Sequence, residues 1–274
     1  MSLAFIGGTG LYQMEGLARR RTQAVSTRYG TVAVTRGKID TPRGPREVYF
    51  LPRHGCRHAA PPHRVAYRSN IAALKTLGVT GILATAASGC LNPEVRPGDL
   101  VLVTSFLDFT KQRVQTFFEG PEAPVVHLDM TEPYCPRLRA LVEEAAAELG
   151  LSLHSQGVYA CTEGPRFETV AEIQMLQRLG ADLVGMTNVP EVILAREAEI
   201  CYAAVAIATN YAAGIASHRL THTEVEEMMQ QRLGELQRLF LLCAERYTPE
   251  DCPCRHALDE YRRRLSDPQL SIPL

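Results

Sequence analysis

No uninterrupted apolar run in this chain approaches the ~20 residues that a membrane-spanning helix needs. No basic region or cleavage pattern of a secretory signal precedes the first apolar run, Leu3-Ala4-Phe5-Ile6. Charge of one sign is missing too. Acidic and basic residues nearly cancel, leaving a net charge of −1, which gives no electrostatic basis for binding nucleic acid or an anionic membrane. Lysine is scarce, 3 residues against 26 arginines, and this skew points to no partner. Internal repeats and low-complexity tracts are absent, so one folded domain is the economical reading of 274 residues. Together these absences lead us to expect a cytoplasmic protein with neither nucleic-acid nor membrane partners.

What the chain has is core. Hydrophobic residues make up 46% of it, which argues against disorder and for a single large α/β unit. Residues 3–6, 48–51, 81–85, 100–104 and 201–209 read as strands. Residues 31–51 read as a meander of short strands broken at Gly37 and at Pro42-Arg43-Gly44-Pro45. A helix from Asn70 ends at Gly78. Residues 136–149 carry Leu138, Leu141, Val142, Ala145 and Leu149 on one helical face, with Pro136 in the first turn and Gly150 as the C-cap. The last long helix opens with a capping box, either Thr221 with Glu224 or Thr223 with Glu226. Residues 108–124 read as irregular, with Phe117-Phe118 as exposed aromatics. The chain turns polar and Arg-rich from Thr248, which predicts an appendage over 248–274 after a domain over 1–247, with one helix from Ala257 to Leu265.

Three segments carry chemistry. Gly7-Gly8-Thr9-Gly10 follows the first strand; its glycines let backbone N–H groups converge on an anion, and Thr9 adds a hydroxyl. On its own it fits a plain turn equally well, and it lacks the spacing of a dinucleotide fingerprint. Pro52-Arg53-His54-Gly55, followed by Arg57-His58 and His63-Arg64, is a dense basic stretch after a buried strand. It reads as a solvated loop or as a phosphate clamp. The third segment runs Gly157 to Thr169. An apolar run breaks at Gly164-Pro165 and becomes helical, placing Phe167 and Glu168 at a strand-to-helix turn where α/β proteins hold ligands. Of eight cysteines, Cys56, Cys90, Cys135, Cys161, Cys201 and Cys243 read as small core residues. Cys252-Pro253-Cys254 suits neither a zinc knuckle nor a thioredoxin motif; it reads as a surface redox pair or as two unpaired thiols in a tail.

The motifs from Gly157 to Thr169, with Ala171-Glu172, Gly180-Ala181-Asp182 and Gly185-Met186-Thr187-Asn188-Val189-Pro190-Glu191, resemble the trimeric purine nucleoside phosphorylase and methylthioadenosine phosphorylase family. The resemblance spans roughly residues 3–245. It implies an α/β fold with a central mixed sheet flanked by helices, a homotrimer that can pair into hexamers, and active sites at subunit boundaries. The implied partners are a purine nucleoside and inorganic phosphate as co-substrate, with no metal or organic cofactor. Thr9, Arg53, His54 and Thr187 match phosphate contacts, with backbone N–H groups of Ala86 and Ala87 in a turn after the strand. Ala86 stands where the family often has a Thr. Met186 matches the ribose-packing residue, and His127 a residue that reaches into the neighbouring subunit's site. Some members carry a Cys-x-Cys near the C-terminus that forms a strained disulfide.

The same resemblance sets the substrate. Adenine-specific members have aspartates where this chain has Asn210 and Ala212. An amide at 210 can donate toward O6 and N7 of a 6-oxopurine, and Glu168, beside Phe167, can accept the N1–H that adenine lacks. His222 matches a residue that hydrogen-bonds the 5′-hydroxyl, where methylthio-specific members are apolar. Asn210, Glu168 and His222 are therefore the expected catalytic residues. Arg53-His54-Gly55 favours the alternative of a 5′-methylthioinosine or 5′-methylthioadenosine phosphorylase. A non-catalytic nucleoside binder would leave the phosphate residues without a purpose.

Overall fold

In the computed structural model the described residues are 2–42, 44–55, 59–120, 123–216 and 221–274. Arg43, Cys56, Arg57 and His58, noted above, lie outside them. Strand β1 (Ser2–Gly7) is buried throughout. It pairs in parallel with β4 (Arg46–Pro52) on one side and β5 (Val79–Cys90) on the other. Beyond β4 lie β3 (Gly30–Ile39) and β2 (Ala18–Thr27), antiparallel. Past β5 the sheet continues through β10 (Leu183–Gly185), β9 (Val158–Thr162) and β7 (Ser105–Phe109). A second branch leaves β5 through β11 (Cys201–Tyr211) to β6 (Leu100–Leu102) and β8 (Leu153–His154). This is the central mixed sheet that the sequence led us to expect.

Two cores form because side chains alternate across a strand. Along β11, Tyr202, Ala204, Ala206 and Ala208 face one core, and Cys201, Ala203, Val205 and Ile207 face the other. Helices α1 (Tyr67–Thr76) and α4 (Asn188–Glu197) cover the first; α2 (Pro136–Glu148) and α5 (His222–Arg246) cover the second. A short α3 (Val170–Arg178) starts with a Thr169–Glu172 capping box. Of the two boxes available to α5, Thr221–Glu224 is the one that forms. Among the described residues no helix is long and apolar enough to cross a membrane.

Four expectations change. Residues 86–90 are not a turn: β5 runs on to Cys90, because β11 pairs with it along its whole length. Phe117 is not exposed but buried, and its N–H donates to Glu197 Oε2 at 2.6 Å. The segment after residue 247 is polar in sequence, yet Leu258, Tyr261 and Ile272 are buried. Arg262 of α6 (Asp259–Arg264) grips Glu199 with two bonds, at 2.8 and 2.5 Å. Cys252 and Cys254 are likewise buried, so they are no surface pair.

Candidate active site

A cavity of about 380 Å³ opens where β1, β4, β5, β9, β10 and β11 all end. Ligands of α/β sheets collect at these carboxyl ends. Its floor is a gap in the sheet. On the β1 side the β5 ladder stops at Ile6↔Ala84, and β10 begins only at Gly89. Residues 85–88 therefore keep one edge unpaired, with alternate backbone groups facing the gap. Gly8 N–H reaches Thr85 Oγ1 there at 3.3 Å.

One end of the cavity is built for an anion. Thr9, Arg53, His54, Ala87 and Thr187 line it; Ala86 does not, because its side chain turns into the α1/α4 core. Arg53 follows β4 and is 2% exposed. Its Nε and Nη2 donate to Glu191 at 2.7 Å each, and its Nη1 donates to Thr85 O at 2.7 Å. Burial opposes the guanidinium charge, and Glu191 outweighs that, holding the pKa above its usual range. Two N–H bonds of the fork remain for a ligand. A Cβ at Gly8 would lie 2.7 Å from Nη1, so only glycine lets the β1 turn approach so closely. His54 Nδ1 sits 2.8 Å from Ala60 O, which fixes the proton on that nitrogen. Thr187 is the N-cap of α4, with its own side chain not used as a cap.

At the other end a bulge does the positioning. The β11–β5 register slips between Ala208 and Asn210, the kind of irregularity that re-aims a side chain beside a site. Thr209 and Asn210 both line the cavity. Asn210 Nδ2 donates to Tyr211 O at 2.9 Å, and the Thr209 hydroxyl lies 2.8 Å from Asn210 Oδ1. The amide orientation is thus set, with one N–H to spare. Glu168 lines the same end, half-buried, and accepts from Thr162 Oγ1 at 2.6 Å. Burial raises its pKa; the Thr162 hydrogen bond pulls the other way and does not prevail. Phe167, Met186 and Ala212 complete the wall. His222 stands at the rim, exposed and 3.4 Å from Glu226, with Val225 also lining the cavity beside it. His127 is elsewhere: its N–H donates to the Tyr261 hydroxyl at 2.6 Å.

Two residues of the site carried no sequence signal. Ser88 is 2% exposed, lines the cavity, and its hydroxyl has no partner among the described residues. Arg113 lies behind the wall. Its Nη1 donates to Met186 O and Val189 O at 2.7 and 2.6 Å. Its Nη2 donates to Thr162 O and Glu163 O at 3.1 and 2.8 Å. One guanidinium therefore ties together the loops that present Glu168 and Thr187. A Cβ at Gly164 would meet Met186 Sδ at 2.6 Å, and its φ of +66° favours glycine.

The arrangement offers anion donors at one end and a carboxylate with an amide at the other. A family model described as the phosphorylase superfamily matches residues 2–245. The chain is 52% identical over 263 residues to a probable 6-oxopurine nucleoside phosphorylase of Thermococcus kodakarensis, covering 93% of this chain and 97% of that protein. It is 49% identical over 256 residues to a probable S-methyl-5′-thioinosine phosphorylase of Methanopyrus kandleri, covering 93% and 96%. Among solved structures, methylthioadenosine phosphorylase from Schistosoma mansoni in complex with adenine superposes with a TM-score of 0.88 at 29% identity, covering 98% of this chain and 100% of that one. With matches of this length and identity, the chain belongs to the purine nucleoside phosphorylase and methylthioadenosine phosphorylase family of the phosphorylase superfamily, a family of pentosyltransferases.

Proposed function

We propose that the chain catalyses the reversible phosphorolysis of inosine and guanosine to free base and ribose 1-phosphate, a purine salvage reaction. The observation that carries this is the placing of Glu168 and Asn210 on one wall of a cavity whose other end holds Thr9, Arg53 and Thr187. Breaking the C1′–N9 bond creates an oxocarbenium-like sugar, which a phosphate held in the anion corner stabilises as a carboxylate does in glycosidases. The departing purine gathers negative charge, and the spare N–H of Asn210 supplies a donor for it. Glu168, ionised, accepts the N1–H of a 6-oxopurine; facing adenine it would be left unpaired. Phosphate is the co-substrate, and the chemistry needs no metal or organic cofactor.

His222 at the rim suits a 5′-hydroxyl. Val225 beside it supports a second reading, because an apolar side chain there can receive a 5′-methylthio group. The test is kcat/KM in phosphate for inosine, adenosine, 5′-methylthioinosine and 5′-methylthioadenosine. Inosine is expected to lead. A lead by methylthioinosine keeps Glu168 and Asn210 and moves the 5′ site to Val225; a lead by either adenine nucleoside overturns the reading. Asn210→Asp is expected to shift the inosine-to-adenosine ratio toward adenosine by roughly 10–100-fold, the size of one charged hydrogen bond. An unchanged ratio would remove Asn210 from base recognition. We also infer a cytoplasmic trimer, or a hexamer of paired trimers. His127 stands apart from this chain's own cavity, so its part in catalysis requires a neighbouring subunit.

A further inference from the structure

Four cysteines from three distant segments meet on the α2/α5 side of the sheet. Cys135 is the N-cap of α2 and Cys201 the first residue of β11. Cys252 and Cys254 belong to the chain after α5, around a 3-10 turn at Pro253–His256. All four are buried, and their sulfur atoms lie within 4.8 Å of one another. Cys135 Sγ lies 3.6 Å from Cys252 Sγ. None of them lines the active-site cavity.

We propose that these four thiolates hold one Zn²⁺ as a closed structural site. Sulfurs placed about 2.3 Å from a tetrahedral zinc ion are about 3.8 Å apart, so the observed cluster needs only a small contraction. Two disulfides would require contact in pairs; here all four sulfurs are mutual neighbours, which is what a tetrahedron demands. The charge of a zinc tetrathiolate needs support from its surroundings. Cys135 stands at the N-terminus of α2, where the helix presents partial positive charge, and Arg196 lines the side cavity next to Cys252 and Cys254. A side cavity lined by Cys252, Cys254, His127, Arg196 and His256 gives an ion its route in. Four protein ligands leave no position for water or substrate, so the ion would cross-link rather than catalyse. It would pin the C-terminal segment to α2 and β11. That segment in turn holds the His127 loop through Tyr261, whose hydroxyl donates to His127 O at 3.0 Å.

The sequence hid this site because no two of its segments are neighbours in the chain, and Cys252-x-Cys254 alone matches no zinc spacing. The test is metal analysis of the full-length protein, purified in reducing buffer without chelator. We expect about one zinc per chain, and the visible and charge-transfer bands of a tetrahedral cobalt tetrathiolate after exchange with Co²⁺. Cys254→Ser should lower the bound zinc at least tenfold, while Cys243→Ser, a buried cysteine outside the cluster, should keep it. If Cys254→Ser does not fold, the zinc content and cobalt spectrum of the unaltered protein decide alone. The proposal is overturned if reduced protein takes up no zinc or cobalt, or if peptide mapping without reductant finds these cysteines in disulfides and the reduced form still binds no metal. Neither result bears on inosine turnover, which tests a separate site.

Discussion

Replacing Glu191 by alanine is expected to lower the unfolding free energy by about 3–5 kcal/mol. The loss comes less from the bonds removed than from the charge left behind. Arg53 is 2% exposed and bound by Glu191 through two parallel bonds along one edge. Without that carboxylate its guanidinium remains buried in the cavity wall with Thr85 O as its fixed acceptor. Tyr202, which donates to Glu191 Oε1 at 2.7 Å, is left with the longer contact to Asn188 Oδ1 at 3.1 Å. The urea midpoint should fall while the slope of the transition stays the same. Replacing both members, Arg53→Met with Glu191→Leu, should recover most of the stability, because an apolar pair of similar volume carries no desolvation cost. Phosphorolysis should not recover with it, since the anion corner would have lost its cation. If the single and double variants are equally unstable, the pair is not the source of the stability.

Glu168→Ala is expected to reduce kcat/KM for inosine by about 10²–10³-fold, as the loss of one well-placed group facing developing charge does elsewhere. Adenosine, which has no N1–H to donate, should lose little, so the preference between the bases should narrow. Stability should respond in the opposite sense. Burial raises the Glu168 pKa above its ordinary value of 4.5. The folded form therefore binds this proton more tightly than the unfolded form. That contribution to stability is complete below about pH 4.5 and is lost as pH rises through the folded-state pKa. At neutral pH the carboxylate is held ionised at a cost, and the alanine variant should unfold no more easily than the parent. A fall in both activity and melting temperature at pH 7 would make Glu168 a structural residue. The same shift should move the acid limb of kcat/KM for inosine above the usual carboxylate range.

Elements with strong periodicity were legible in the sequence. The helix expected over 136–149 is Pro136–Glu148, and the strand expected over 201–209 is Cys201–Tyr211. β2 was not legible. Ala18-Arg19-Arg20-Arg21 has no apolar alternation, and its strand exists because β3 supplies the partner. The end of β5 looked like a turn because Ala-Ala-Ser-Gly has weak strand preference; pairing along β11 overrides it. Phe117 failed for a related reason. The polar stretch around it suggested exposure, and nothing local announces that Glu197, 80 residues away, will accept its N–H. In the site, the residues that came from local motifs, such as Thr9, Arg53, Glu168, Thr187 and Asn210, all line one cavity. Ala86 and His127 do not line it. Ser88 and Arg113 were illegible because what distinguishes them, an unpaired buried hydroxyl and a four-carbonyl grip, exists only after folding.

The two ends of the cavity differ in how much of the fold rests on them. Arg53 and Glu191 are buried at the cavity wall and bonded to β5 and β11, so any change there is felt as instability before it is felt as a new specificity. His222 is exposed at the start of α5, and the half-buried Glu168 carboxylate accepts from Thr162 Oγ1 on the cavity wall. Substitutions at those positions perturb little beyond themselves. Drift in substrate choice is therefore cheap at the base and 5′ ends and lethal at the phosphate end. A lineage built on this scaffold is free to exchange one nucleoside for another while its phosphate chemistry stays frozen.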